Sequence, residues 1–227
     1  MSSVLDRLEH YDNLYNFVKE EISDYHFDKW RDDSNEKDIN FQKFHIHTDW
    51  QKLVDNFAGT PGTDPDLTRP TTKKHYDLWK QIGYNSQTTF GRKQDLLKTK
   101  TDFGLKLAST LGLEFPQIVM TEQAVGQNIP MHMDVNASAS DAGFTIEDTI
   151  KRGIRIIVFV TDWDPGQIFM MGNRVITQWH AGNTLYWPVT KYPHGTYNGS
   201  HKPCYRIRIS GLATSCFYKQ IENDITI

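Results

Sequence analysis

Residues 166–213 read GQIFMMGNRVITQWHAGNTLYWPVTKYPHGTYNGSHKPCYRIRISGLA in one-letter code. Short runs rich in Val, Ile, Phe, Tyr and Trp follow one another, separated by Gly, Asn and Pro, as in strands joined by tight turns. The same pattern starts after Pro116. Eight strands are predicted from it, at 117–123, 129–135, 154–161, 166–171, 174–179, 183–187, 191–197 and 204–213. Most gaps have hairpin length, with a tight turn at Met171–Arg174, so we expect an antiparallel sandwich or barrel.

The residues before Pro116 have a helical pattern instead. Apolar side chains recur at three- and four-residue intervals from Val4 to Ile22, which places them on one face of a helix. Thr48-Asp49-Trp50-Gln51 has the form of a capping box, with Thr48 as the predicted cap of a second helix. Further apolar spacing predicts another helix or two over 95–112. We expect these helices to buttress the β core.

Composition narrows the class of protein. The 227 residues carry 25 basic and 28 acidic side chains, a net charge of −3, and this balance argues against a nucleic-acid partner. The longest apolar stretch, 154–160, is far shorter than the roughly 20 residues of a membrane span. The chain start lacks an export signal and there are two cysteines, which favours the cytoplasm.

A single domain, 1–227, fits this length. Its predicted parts are a mainly helical support and substrate-entrance region (1–115), a β core (116–214) and a C-terminal tail (215–227). The long gap at 136–152 is rich in small polar residues and could serve as a lid. The Gly- and Pro-rich residues 58–72 are predicted to form a surface loop.

The pattern His-x-Asp is the first candidate for metal chemistry. It occurs five times, at 10/12, 26/28, 47/49, 75/77 and 132/134. Two residues two apart on a strand share a face and can bind one cation, whereas on a helix they diverge by about 200°. Three of the pairs lie in helical patterns, and Asp49 belongs to the capping box. His132 and Asp134 lie within a predicted strand and are therefore the candidate ligands.

A third ligand should come from elsewhere in the β half. His180 precedes a predicted turn and His201 lies in a polar loop, so both are expected to be exposed. His194 lies in the run Tyr192–Tyr197, which can pair with other strands. We therefore take His194 as the third candidate ligand.

The run Arg206-Ile207-Arg208-Ile209-Ser210 has two chemically different faces. In a strand the two arginines and Ser210 point to one side, and the isoleucines to the other. If the polar side is the barrel interior, the arginines need an anion, and guanidinium binds a carboxylate in a bidentate fork. A dicarboxylate cofactor would supply it. The alternative is a solvent-exposed face whose arginines pair with surface acids.

These motifs, in this order, resemble the iron(II)- and 2-oxoglutarate-dependent dioxygenases. The resemblance rests on His132-x-Asp134, on His194 sixty residues later, and on Arg208-x-Ser210 in the following strand. It covers roughly 116–214 and includes Asp162–Gln167, Gly182–Thr184 and Ile209–Gly211. The family fold is a double-stranded β-helix, of the jelly-roll or cupin kind, so the resemblance implies a mainly β chain with helices, that is, α+β.

The resemblance also implies a set of roles. His132, Asp134 and His194 would bind iron, and Arg206 or Arg208 would pair with the distal carboxylate of 2-oxoglutarate. Many members place that arginine about ten residues after the distal histidine, where this chain has Cys204. Ser210 and Gln123 complete the candidates for cofactor binding, Gln123 standing where relatives often have a tyrosine.

The implied reaction consumes 2-oxoglutarate and O2, releases succinate and hydroxylates a C–H bond. A carboxylate at Asp134 favours hydroxylation over halogenation. The expected partner is a small-molecule or peptide substrate. Two alternatives stay open: a cupin-like metalloprotein acting as an isomerase or hydrolase, and a non-catalytic jelly-roll binding or virion accessory protein. The aromatic residues expected to fill the barrel are Trp163, Trp179, Tyr186 and Trp187.

Overall fold

A computed structural model of the chain describes residues 40–60, 91–132, 146–172, 174–189 and 192–227. Within these ranges the chain forms strands and helices in the following order: β1 (Asn40–His47), α1 (Trp50–Asp55), β2 (Arg92–Asp95), α2 (Asp102–Leu111), β3 (Glu114–Gln123), β4 (Asn128–His132), α3 (Ile146–Arg152), β5 (Gly153–Phe159), β6 (Gln167–Met171), β7 (Arg174–Ile176), β8 (Asn183–Pro188), β9 (His194–Asn198), β10 (Cys204–Leu212), α4 (Ser215–Gln220) and β11 (Ile225–Thr226).

The strands form two sheets. The major sheet has the order β11-β1-β8-β5-β10-β3-β2, and the minor sheet has the order β4-β9-β6-β7. All pairings are antiparallel except the parallel pair of β1 with β11. From β3 to β10 consecutive strands alternate between the two sheets, except that β6 and β7 both belong to the minor sheet. This is a double-stranded β-helix, as predicted, and each of the eight predicted strands has a counterpart in it.

Strand β10 separates two apolar cores because its side chains alternate between them. Ile207 and Ile209 join the outer core, which fills the space between the major sheet and the helices α1, α2 and α4. The second core lies between the two sheets and is called the inter-sheet core below. Its buried members are Ile157, Phe159, Phe169, Met171, Ile176, Trp179, Leu185, Trp187 and Cys204. The predicted packing of the isoleucine face against helices is thus confirmed for the described helices.

Helix α2 begins and ends at residues suited to those positions. The Thr101 hydroxyl accepts a hydrogen bond from the Gly104 amide at 3.0 Å, which satisfies one free donor of the first turn. The helix stops at Gly112, whose φ of 62° is left-handed and costs glycine little. Leu107 and Leu111 are fully buried in the outer core. The predicted helix end at Gly112 is confirmed.

One expectation for the first half of the chain is wrong, and one strand there was not predicted. The cap of α1 is Asp49 and not Thr48, because the Asp49 carboxylate accepts from the Lys52 amide at 3.0 Å. Residues 40–47, included in the helical support, form the strand β1 beside β8. A register shift between Phe41 and His45 accompanies a positive φ of 57° at Gln42. This irregularity breaks the strict alternation by which a strand is recognised.

Several predictions fall outside the described residues. They are the helix from Val4 to Ile22, the loop at 61–72, and the lid, except for its end at α3. The predicted turn after Met171 is supported, since Met171 pairs with Arg174 in the hairpin of β6 and β7. No helix within the described ranges is long and apolar enough to cross a membrane.

Candidate functional site

The minor sheet brings two of the predicted metal ligands to adjacent positions. Residues 132 and 194 are register partners on the neighbouring strands β4 and β9, which run antiparallel. Residues directly opposite on such strands share one face of the sheet, with Cβ atoms about 4.5–5.5 Å apart. The side chain of His132 and the whole of Asp134 lie outside the described part of the chain. The register therefore agrees with a joint role for His132 and His194, and it does not test Asp134.

His194 is buried in the inter-sheet space, with 6% of its surface exposed. Its ring lies edge-on to Trp187 at 4.9 Å and parallel to Phe169 at 6.3 Å between centroids. Nδ1 lies 3.4 Å from the carbonyl oxygen of Tyr192. Ligating histidines typically make such a second contact through the nitrogen that does not bind the metal, and this contact fixes the ring.

Arg206 is buried in the same space, and two of its nitrogens have no partner among the residues that the structure describes. Only 5% of the residue is exposed, and neither Nε nor Nη2 has an acceptor in the described structure. The guanidinium carbon instead lies 5.9 Å from the ring centre of Phe169 and 6.0 Å from that of Trp179. A buried donor without an acceptor costs about 1–3 kcal/mol, and more when charged. The donor geometry fits a carboxylate, which would satisfy both nitrogens.

The two candidate arginines of β10 differ in exposure although they share a face. Arg208 is exposed, between Ile157 on β5 and Val119 on β3. Ser210 is buried two residues further on, where its hydroxyl accepts a hydrogen bond from Nη1 of Arg155. The inter-sheet face is therefore closed at Arg206 and open to solvent at Arg208.

Gln123 joins the two sheets at one end of this space. Its amide nitrogen donates to the Thr196 hydroxyl and to the Gln127 carbonyl, both at 3.0 Å. Since a carbonyl only accepts, these contacts fix the amide orientation and leave Oε1 buried without a donor in the described structure. Close by, the Asn198 amide donates to the Gln123 carbonyl oxygen at 2.9 Å. Polar contacts thus close this end of the barrel.

Sequence reasoning missed two buried polar groups of the interior. Arg155 lies in a strand that is buried throughout, and its cross-strand partners are Trp187 on β8 and Ser210 on β10. The indole N–H of Trp187 has no acceptor within the described residues, although the residue is fully buried. An arginine inside an apolar strand was a signal available in the sequence. The sequence contained no signal for the indole of Trp187, because a tryptophan in an apolar run is typical of any core.

The other histidines in the described ranges form no comparable site. His180 and His201 are exposed, as predicted. The rings of His45 and His47 lie 4.4 Å apart at the edge of the major sheet, and His47 Nε2 is 3.4 Å from Asp224. Burial and the neighbouring His47 lower the pKa of His45. Among the residues that the structure describes, no group of three His, Cys, Asp or Glu side chains could hold a metal ion.

A second cluster lies on the outer face of the major sheet. The Tyr205 hydroxyl donates to the Glu122 carboxylate at 2.8 Å, and Arg92 Nη1 lies 3.3 Å from the same carboxylate. Burial, followed by the hydrogen bond to Glu122, raises the pKa of Tyr205 to about 12. Arg92 also stacks on Phe57 at 5.4 Å. These contacts hold β2, β3 and β10 together and give Arg92 a structural partner.

Comparisons with known proteins find only weak similarity to solved structures. No protein-family model matches the chain, and no curated protein matches it. Among solved structures, a prolyl-4-hydroxylase from Pseudomonas putida is 13% identical, with 72% of this chain and 97% of that chain covered and a TM-score of 0.38.

Two cupin structures are similar to the same degree. The cupin domain of an XRE-family transcriptional regulator from Enterobacter cloacae is 13% identical, covering 44% of this chain and 83% of that one at a TM-score of 0.31. An RmlC-like cupin protein from Desulfovibrio desulfuricans is 18% identical. The match covers 42% of this chain and 71% of that chain, with a TM-score of 0.29. At these identities and scores the likeness concerns the fold alone.

Proposed function

We propose that the protein is an iron(II)- and 2-oxoglutarate-dependent oxygenase that hydroxylates a C–H bond of its substrate. One observation carries the proposal: a buried guanidinium, Arg206, has two nitrogens without a partner in the described part of the chain, in the same inter-sheet space as His194. A buried cation requires a counter-charge, and a dicarboxylate held between the sheets would supply it.

The residues that would hold the cofactors are those named from the sequence. His132, Asp134 and His194 would bind iron(II), since two imidazoles and one carboxylate are the ligand set of non-haem iron oxygenases. Arg206 would bind the distal carboxylate of 2-oxoglutarate. When bound, iron, 2-oxoglutarate and O2 supply the oxidation, with succinate and carbon dioxide as by-products.

Arg206 is favoured over Arg208 because of what surrounds it. Phe169 and Trp179 lie within about 6 Å of its guanidinium carbon and exclude water from it. Electrostatic attraction is stronger where water is excluded, so a carboxylate gains more at Arg206 than at the exposed Arg208. The Gln123–Thr196 contact closes the end near Arg206. The substrate would therefore enter from the side on which Arg208 is exposed.

The wider setting is part of the same proposal. We infer a small-molecule or peptide substrate and not a nucleic acid, because the chain has a net charge of −3. The cytoplasm is the proposed compartment, since only two cysteines are present.

Succinate release tests the proposed function. Purified protein with iron(II), 2-oxoglutarate and air should form succinate. The rate should increase when a mixture of metabolites and peptides that contains the substrate is added. His132→Ala should abolish the product. Arg206→Met and Arg208→Met form a matched pair on one strand. Only Arg206→Met should raise the 2-oxoglutarate concentration that gives half of the maximal rate of succinate formation.

Other outcomes would replace the proposal. Binding of zinc or manganese without any affinity for 2-oxoglutarate would indicate a cupin-like isomerase or hydrolase. A folded protein that binds neither metal nor 2-oxoglutarate would be a jelly-roll binding protein.

A further inference from the structure

Trp187 has a buried donor for which the described chain offers no acceptor. The residue has no exposed surface, and its Nε1 is without a hydrogen-bond partner in the described ranges. Two other tryptophans nearby are satisfied: Trp163 donates to the Gln167 carbonyl at 2.8 Å, and Trp179 donates to the Thr161 carbonyl at 3.2 Å. Because buried indole N–H groups usually find a partner, the acceptor of this one must come from a bound molecule or from outside the described ranges.

The position of Trp187 shows where that molecule would lie. Three groups surround the ring of Phe169: the guanidinium carbon of Arg206 at 5.9 Å, the Trp187 ring at 6.2 Å and the His194 ring at 6.3 Å. Trp187 also contacts His194 directly, at 4.9 Å between ring centres. The indole therefore lies beside the candidate metal ligand, and Arg206 lies on the same aromatic ring.

We propose that the indole N–H of Trp187 donates a hydrogen bond to the carboxylate of 2-oxoglutarate adjacent to its keto group, while Arg206 binds the distal carboxylate. This inference rests on the proposed function. A carboxylate that binds a metal through one oxygen keeps a second oxygen as a charged acceptor, which is a strong partner for an N–H. Because Trp187 is fully buried, a co-substrate enclosed between the sheets can reach it more readily than a large substrate can.

The test compares two ligands that differ at one end. 4-Oxopentanoate keeps the keto group and distal carboxylate of 2-oxoglutarate but has a methyl group in place of the other carboxylate. Binding of each is measured by calorimetry on the full chain loaded with manganese(II), which avoids turnover. Trp187→Phe should weaken 2-oxoglutarate binding by about tenfold or more, since the lost bond has a charged acceptor, and leave 4-oxopentanoate binding unchanged. Arg206→Met should weaken both ligands.

A measurement on the unaltered protein covers the case in which the variant does not fold. The chain has six tryptophans, so its indole N–H groups give six cross-peaks in a nitrogen-15 NMR spectrum. Among the four tryptophans that the structure describes, Trp187 contacts the candidate ligand His194, so its peak is expected to be the one that manganese(II) broadens most. In zinc-loaded protein, 2-oxoglutarate should move that peak downfield, and 4-oxopentanoate should not.

The two ideas can fail separately. If the unaltered protein binds no 2-oxoglutarate, the proposed function is wrong. If it binds 2-oxoglutarate and loses affinity with Arg206→Met, but Trp187→Phe binds both ligands normally or the indole peak does not respond, the inference about Trp187 alone is overturned, and the indole has another acceptor.

Discussion

Strand β10 has two buried faces, and their chemistry differs. On the outer face Ile207 and Ile209 are fully buried among apolar side chains that come from the helices and from the neighbouring strands. On the inter-sheet face Arg206 and Ser210 are buried to a similar degree, yet Arg206 keeps two unpartnered nitrogens within the described structure. Burial alone does not distinguish the faces.

The difference supports the proposal that a ligand binds on the inter-sheet side of the major sheet. Apolar burial stabilises a fold without need of any partner, whereas a buried cation without a counter-charge lowers stability. Both faces therefore contribute apolar burial to folding, but Arg206 on the inter-sheet face has a cost that a bound anion would offset. Substitutions on the two faces should accordingly change different properties.

The largest expected effect is on binding, at Arg206. Arg206→Met should weaken 2-oxoglutarate binding by about two to four orders of magnitude, because breaking a buried charge pair typically costs about 3–5 kcal/mol. Without ligand the variant should be as stable as the unaltered protein or more so, since the uncompensated charge is gone. Chemical denaturation and calorimetry on the same sample measure both quantities. A large loss of stability without ligand would show that the guanidinium has a structural role.

The next effect is on stability, at Ile209. Ile209→Ala should lower the free energy of unfolding by about 2–5 kcal/mol, because it opens a cavity in a closely packed core. The affinity of the folded protein for 2-oxoglutarate should stay the same. Urea denaturation gives the first quantity, and titration well below the midpoint gives the second. A variant of normal stability with weakened binding would reverse the assignment of the two faces.

The smallest effect is at Tyr205, which also lies on the outer face. Its pKa is raised to about 12, whereas an unfolded chain releases this proton near pH 10. Between these values the unfolded state binds fewer protons, so stability should fall as the pH rises from about 10 towards 12.

Tyr205→Phe should remove this alkaline dependence and cost about 1 kcal/mol at neutral pH, where the hydroxyl still donates to Glu122. Denaturation at pH 8 and at a pH of about 11 measures both effects. An unchanged slope in the variant would mean that another group titrates.

The β half of the fold was predictable because its strands show local patterns. Residues such as Ile207 and Ile209 alternate with polar side chains, and Gly or Asn marks most turns. Strand β1 was not predicted, because the irregularity near Gln42 interrupts the alternation of inward and outward side chains. Asp49 and Thr48 can each cap a helix, and only the backbone geometry selects Asp49.

The residue types of the candidate site were predictable from the sequence, but the degree to which each residue is buried was not. Arg206 and Arg208 have the same parity on the strand, so alternation cannot separate them; what separates them is the packing of Phe169 and Trp179 from elsewhere in the chain. Trp187 was correctly expected in the core, but the missing acceptor of its indole depends on tertiary contacts that no local pattern contains.

The most direct test asks whether iron and 2-oxoglutarate bind at one place. A 2-oxo acid chelated to iron(II) absorbs visible light, so anaerobic addition of both to the protein should produce a weak absorption band. The band should vanish in His194→Ala and should need far more 2-oxoglutarate in Arg206→Met than in Arg208→Met. A folded protein that gives no band at saturating concentrations, or a band that His194→Ala leaves intact, would contradict the account.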